Sequence, residues 1–172
     1  MPAHKLVLAL TLTLPTLAVA QAPAPAPGVR FTNVKYGFSA TFPYDLKEEE
    51  KKDGEITLTA GNPEDTIAYM FSVFTVSDEV LKRKPVAKIL DDAVGGAVEN
   101  VKGKLVAKTD IKIDGFPGKA FDIKSDQYMA RCRIYLVGNR MYLPMVIFQP
   151  DLKLPLDPAA FHSSFKLINP KH

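Results

Sequence analysis

The stretch QYMARCRIYLVGNRMYLPMVIFQ, from Gln127 to Gln149, decides the fold. Two runs that alternate with period two flank Gly138-Asn139, a pair suited to a two-residue hairpin turn with glycine first. A tight turn there sets the register: Leu136 faces Met141, Ile134 faces Leu143, Cys132 faces Met145 and Ala130 faces Ile147. One side of the hairpin is then wholly apolar. The other side carries Met129, Arg131, Arg133 and Tyr135 beside Arg140, Tyr142, Val146 and Phe148, with Tyr135 opposite Tyr142. Pro144 lacks a ladder donor, which predicts an edge strand or a bulge for Arg140 to Gln149.

Upstream, Ser125-Asp126 turns the chain into a strand that starts at Lys119, pairing Phe121 with Ala130 and Ile123 with Tyr128 on the same apolar face. Asp114-Gly115-Phe116-Pro117-Gly118 is turn chemistry. Before it, Leu105, Ala107, Thr109, Ile111 and Ile113 alternate with Val106, Lys108, Asp110 and Lys112, which predicts a half-buried strand. These pieces form a four-stranded meander.

Helical spacing is strong in one place. Val86, Ile89, Leu90, Ala93, Val94, Ala97, Val98 and Val101 recur at three- and four-residue steps, with Pro85 at the first turn and Gly103 at the end. Gly95-Gly96 inside that helix costs about 1 kcal/mol per glycine relative to alanine, which predicts that both sit where the helix lies close on a sheet. Gly37 to Pro43 and Glu55 to Ala60 read as short strands. Thr66 to Val76, apolar on both faces, reads as a central covered strand. Asp157-Pro158 caps and opens a last helix containing Phe161, Phe165 and Leu167. The order strands, helix, meander, helix describes an α+β domain, an antiparallel sheet flanked by helices in an α/β/α sandwich.

Near the start of the chain stand a single charge at Lys5, an apolar run from Leu6 to Val19 and the small-x-small site Ala18-Val19-Ala20. Residues 1–20 therefore read as an export signal, too short to span a membrane, with Gln21 rather than a lipid-accepting cysteine directly after Ala20. Residues 21–28 form a Pro/Ala linker that prolines keep extended, and 29–172 a single domain. The expected location is periplasmic or secreted, with no membrane span once the signal is cleaved. Of 22 lysines and arginines, Lys5 leaves with the signal, so 21 face 19 acids, a balance of +2. Such a balance argues against a nucleic-acid surface. The alternating charges of Glu48 to Lys52 and of Lys82 to Lys84 read as solvated.

On Tyr36-Gly37-Phe38-Ser39-Ala40-Thr41-Phe42-Pro43, Gly115 to Ala120, Arg133 to Tyr142 and Phe161 to Leu167, the chain resembles the small domains related to PsbP, the extrinsic photosystem II subunit. The Ran-binding nuclear import factor shares their fold. The resemblance spans nearly all of the mature chain and implies a layered α/β/α fold used as a non-catalytic docking module. It carries over no functional residue, because it rests on turns and core positions, and nothing in the chain extends it to a photosystem role.

Chemistry is sparse in the sequence. His162 is the single histidine inside the fold; beside Ser163 and Ser164 it invites a nucleophile reading, but consecutive helical positions diverge. Cys132 has no partner for an internal disulfide and falls on the apolar face by parity, a small buried hydrophobe. Asp91-Asp92 falls off the helix's apolar face, as solvated carboxylates. No motif calls for a catalytic set, a metal or a cofactor. The candidate binding surface is Arg131, Arg133, Tyr135, Arg140 and Tyr142, arginines over an aromatic floor that could hold a carboxylate or phosphate or anchor a partner. The competing arrangement lays a helix over Met129, Val146 and Phe148, with the arginines at the rim and Arg131 diagonal to Asp122. The expected function is a non-enzymatic envelope interaction module whose partner is an envelope protein. The alternative is a binder of a small anionic or lipophilic ligand between sheet and helix, near Met141 and Met145, and a hydrolase comes third.

Overall fold

The computed structural model describes residues 28–50 and 54–169; residues 1–20, expected to be an export signal, and residues 21–27 of the expected linker lie outside them. In chain order the elements are β1 (Val29–Asn33), β2 (Phe38–Phe42), β3 (Lys47–Glu50), β4 (Ile56–Gly61), β5 (Ile67–Thr75), α1 (Asp78–Arg83) and α2 (Val86–Val101). Then follow β6 (Lys104–Ile113), β7 (Phe116–Lys124), β8 (Met129–Val137), β9 (Arg140–Phe148), α3 (Pro158–Ser164) and β10 (Lys166–Leu167). Seven strands form one antiparallel sheet, ordered β3-β4-β5-β9-β8-β7-β6, and β1-β2-β10 form a second. The chain is α+β, with the meander as expected. One face of the large sheet lies under α2, and the other under the small sheet and α3 rather than under helices alone.

The decisive hairpin closes as its residues require. Gly138 takes a φ of 60°, and Leu136 pairs with Met141, Tyr135 with Tyr142 and Cys132 with Met145. The preceding turn corrects the expectation. Phe121 pairs with Cys132 and Ile123 with Ala130, because Ser125 and Tyr128 bond to each other and lengthen the loop to four residues. The Ser125 N–H donates to the Tyr128 carbonyl at 2.9 Å, and the Tyr128 N–H to Ser125 Oγ at 3.0 Å. Strand side chains alternate with period two, so a two-residue shift leaves every residue on its expected face. Arg131 consequently stands directly opposite Asp122, not diagonal to it.

Pro144 misled. β9 is neither an edge nor bulged: it runs between β5 and β8. Its register with β5 is unbroken through Pro144 opposite Phe71. On the β8 side the ladder skips the pairs Arg133–Pro144 and Ile134–Leu143, and the sheet absorbs the missing donor there.

The true edge of the meander is β6. It is mostly exposed rather than half-buried, and a bulge between Leu105 and Ala107 switches its faces partway. Upstream of the bulge Leu105 sits opposite Ile123, on the α2 side, whereas Ile111 and Ile113 pack into the core on the other face.

The helix over 86–101 forms as its periodicity predicts, burying Ile89, Leu90, Val94 and Ala97 against β7 and β8. Its glycines do not do what was expected of them. A Cβ at Gly95 or Gly96 would meet nothing within 4 Å, so neither marks a close approach to the sheet. Close approaches fall elsewhere: within β7 at Gly118, where a Cβ would lie 2.5 Å from the Tyr135 ring, and just past α2 at Gly103, 2.5 Å from Ile123. Asp91 and Asp92 are ion-paired rather than only solvated. Asp91 reaches Lys108 at 2.9 Å and Lys119 at 3.4 Å, tying α2 to β6 and β7, and Asp92 reaches Lys84 and Lys88.

The last helix is capped by Asp157, whose carboxylate accepts from the Ala159 N–H at 2.8 Å. It ends at Ser164, so Phe165 falls at its cap and Leu167 in β10, which joins the small sheet beside β2. Among the described residues no helix is long and apolar enough to cross a membrane.

Candidate functional site

The five candidate residues do not share one surface. Tyr135 and Tyr142 are each 3% exposed. The Phe165 ring stands 5.7 Å from both, and Phe38, stacked on Phe71 at 4.3 Å, lies 6.2 Å from Tyr142. The aromatic floor is therefore core. Its cover comes from both ends of the domain, β1 and β2 before the large sheet and α3 and β10 after it. Met129, Val146 and Phe148 join the same core, as the competing arrangement has it. Arg131 is exposed and Arg133 half-buried, and both lie near α3; Arg140 lies at the opposite end of the sheet.

At that opposite end the structure assembles a polar cluster that the sequence did not reveal. The Tyr142 hydroxyl donates to the Tyr36 carbonyl at 2.8 Å, and Arg140 Nη1 donates to the Lys35 carbonyl at 3.2 Å. The Arg140 guanidinium stands 5.7 Å from the centre of the Tyr36 ring and Lys35 Nζ 5.1 Å from it. Glu50 on β3 closes the group, pairing with Lys35 and accepting from the Tyr36 hydroxyl at 2.9 Å. Lys35, and to a lesser degree Tyr36, hold the Glu50 carboxyl below its usual range, and Glu50 in turn raises Lys35. Burial, then Glu50, raises the Tyr36 phenol. Three segments distant in sequence meet here, so no local periodicity could announce Lys35, Tyr36 or Glu50.

Beside the cluster lies a groove of about 390 Å³, bounded by the hairpin turn at Gly138 and Asn139, by Arg140 and by Leu167 to Asn169. Gly37 sits in its wall with a φ of 72°. A Cβ there would crowd the Ile168 carbonyl at 3.3 Å, and Ile168 donates to the Gly37 carbonyl at 2.8 Å. Val34 on the rim is 79% exposed.

The catalytic-looking residues take structural roles. Ser164 Oγ donates to the Phe161 carbonyl at 2.7 Å and accepts from the Thr41 N–H at 2.9 Å, clamping α3 to β2. Ser163 points to solvent. His162 is buried, and among the described residues neither ring nitrogen has a hydrogen-bond partner. Burial, followed by the charge of Arg133, pushes its pKa down to about 3. Cys132 is buried on the α2 side, and burial with the nearby Asp122 charge pushes its thiol up, as parity implied. Tyr69 ties the loop before α3 in place: its hydroxyl donates to the Leu156 carbonyl and accepts from the Leu156 N–H at 3.2 Å.

Among solved structures, cyanobacterial PsbP (CyanoP) from Synechocystis sp. PCC 6803 is similar to this chain. The two superpose with a TM-score of 0.61 over 88% of this chain and 98% of the other, at 11% sequence identity. A crystal structure from Bacteroides thetaiotaomicron overlaps 81% of this chain and 48% of its own, with 17% identity and a TM-score of 0.40. No protein-family model and no curated protein matches the sequence. At 11% identity the likeness is one of fold: the chain has the PsbP-like fold.

Proposed function

We propose that this protein is an exported, non-enzymatic docking module of the cell envelope that engages a protein partner at the Arg140 end of its large sheet. The observation that supports this reading is the immobilised arginine. Arg140 is half-exposed, yet its guanidinium is held by the Lys35 carbonyl and the Tyr36 ring, beside a concave groove and the exposed Val34. A pre-positioned arginine next to exposed apolar area is the composition of an interface hot spot, because little side-chain freedom is left to lose on binding. The signal-like pattern of residues 1–20 supports the envelope location.

Co-purification from envelope extract tests it, using wild type, Arg140→Glu combined with Val34→Asp, and Arg131→Glu as a control for charge reversal elsewhere on the surface. A partner recovered by wild type and by the control, and lost from the double variant, is expected. Equal recovery by all three sinks the groove as the site.

A second reading rests on another cleft. About 410 Å³ lies between α1, α2 and the sheet, walled by Val76, Val80, Ile89, Ala93 and Met141, with Lys84 and Asp92 at its mouth. That space suits a small lipophile with a polar end. Native mass spectrometry of freshly purified protein decides: a bound mass lost on Ala93→Phe supports it, and consistently empty protein rejects it.

A further inference from the structure

At the far end of the large sheet from Arg140, the link from α2 to β6 meets the end of β7, and the chain there breaks a rule of sheet stability. Lys104 and Lys124 are direct cross-strand partners. Like charges at opposed positions repel and destabilise the pair. A third lysine, Lys102, joins them. It is the cap residue of α2, in the left-handed conformation with φ of 54°. Gly103 then packs so tightly on the end of β7 that a Cβ would lie 2.9 Å from the Lys124 carbonyl. This contact fixes the two backbones that present the lysines. None of the three has an ion-pair partner among the described residues.

The three surround a cleft of about 480 Å³ whose remaining wall includes Val106, Ser125 and Asp126. Asp126 offsets one positive charge and leaves two. Ser125 is already engaged with Tyr128. Val106, the bulge residue, is 54% exposed and gives the cleft an apolar side.

We propose that this cleft binds a phosphate group, carried by a ligand whose organic part rests on Val106. Three ammonium groups offer more donors than one carboxylate can accept, whereas a phosphate brings at least three acceptor oxygens and close to two charges, which match the unbalanced pair. A local conflict retained at a preformed concave site is where function is expected to outweigh stability.

Two sources of such a group are separable by experiment. Wild type, Lys104→Gln combined with Lys124→Gln, and Lys112→Gln, at the other end of β6, are titrated with pyrophosphate by calorimetry. The same proteins are sedimented with vesicles of phosphatidylglycerol and of phosphatidylcholine. Pyrophosphate binding that weakens at least tenfold in the double variant and is unchanged in Lys112→Gln supports the site with a soluble ligand. Sedimentation with phosphatidylglycerol alone, lost in the double variant only, supports it with a lipid headgroup. Absence of both, or equal weakening in Lys112→Gln, overturns it. Without ligand, the double variant is expected to melt no lower than wild type; a lower melting temperature would show that the lysines are satisfied rather than opposed, and would also overturn the proposal.

Discussion

Over β7, β8 and β9, one face of the large sheet is closed by a single continuous segment, α2. The other face is closed by short pieces from both ends of the domain. The α2 side is mainly aliphatic: Ile89, Leu90, Val94 and Ala97 lie over Cys132, Ile134, Met141 and Met145. The far side is aromatic, with Phe38, Phe71, Tyr135, Tyr142 and Phe165 in one group of touching rings and Phe42, Tyr69 and Phe161 in another. Its pieces are pinned by polar bonds that cross long sequence separations, Tyr142 to Tyr36, Tyr69 to Leu156 and Thr41 to Ser164. A continuous helix can hold a face by pattern alone. A discontinuous cover needs large rings to fill the gaps between its pieces and directed bonds to set their positions.

The comparison is tested hardest at Phe165, which touches Phe38, Phe71, Tyr135 and Tyr142 at once. Phe165→Ala should cost about 3–5 kcal/mol in urea unfolding, the upper part of the range for buried large-to-small changes. It should also speed amide exchange in β1, β2 and β10 more than in α2. Leu90→Ala, the matching lesion under α2, should cost less. If Leu90→Ala proves the costlier of the two, the aromatic side is not the tighter one.

His162 gives the aromatic side a pH dependence that sets in above the carboxylate range, where the Asp91 and Asp92 ion pairs of the α2 side are still intact. Its folded pKa of about 3 lies below the 6.5 of an unperturbed imidazole. The folded state therefore binds fewer protons than the unfolded one between those values. Its contribution is fully present above about pH 6.5 and is lost as pH falls toward 3, by an amount of order a few kcal/mol for a group this buried. Subtracting the pH–stability curve of His162→Leu from that of wild type isolates the effect from the carboxylates. The difference should grow steadily as pH falls through that window; a flat difference would mean that the ring is not held neutral.

The two sides also differ in how far they could be read in advance. The face under α2 was legible, since a 3.6-residue repeat and a period-two hairpin each name their own buried side, and parity survived a two-residue error in register. The aromatic face was legible as a set of residues, and the competing arrangement buried part of it, but the pieces that cover it were not. Its cover is built from β1, β10 and the segment around Tyr36, elements too short or too exposed to carry a pattern, and the sequence distance between β2 and β10 hides their pairing. The same distance hid Lys35 and Glu50 from the candidate site and left Arg140 grouped with Arg131 and Arg133, which it never meets. Pro144 was misread because a missing donor suggests an edge, whereas a sheet paired on both sides can lose one rung and close around it.

Cys132 sharpens the contrast from the aliphatic side. With its thiol pushed up by burial, it should react with iodoacetamide only as fast as the sheet opens, and its labelling should accelerate in parallel with unfolding in urea. Cys132→Ser should cost about 1–3 kcal/mol by placing a hydroxyl among Ala130, Ile134 and Met145. Labelling of the native protein at the rate of a free thiol would mean that α2 lifts from the sheet without global unfolding.

The smallest effect concerns α2 itself. Gly95 is exposed and Gly96 half-buried, and neither has an atom within 4 Å of where a Cβ would stand. Alanine at either position restricts the unfolded chain and crowds nothing, so Gly95→Ala and Gly96→Ala should each stabilise by about 0.5–1 kcal/mol. For a domain of this size that raises the melting temperature by roughly 2–4 °C per kcal/mol. Because the gain belongs to the helix, it should slow Cys132 labelling and leave the His162 pH dependence unchanged. Labelling that did not slow would show that the thiol is reached by an opening that leaves α2 folded, and the face under α2 would then owe its closure to something other than that helix.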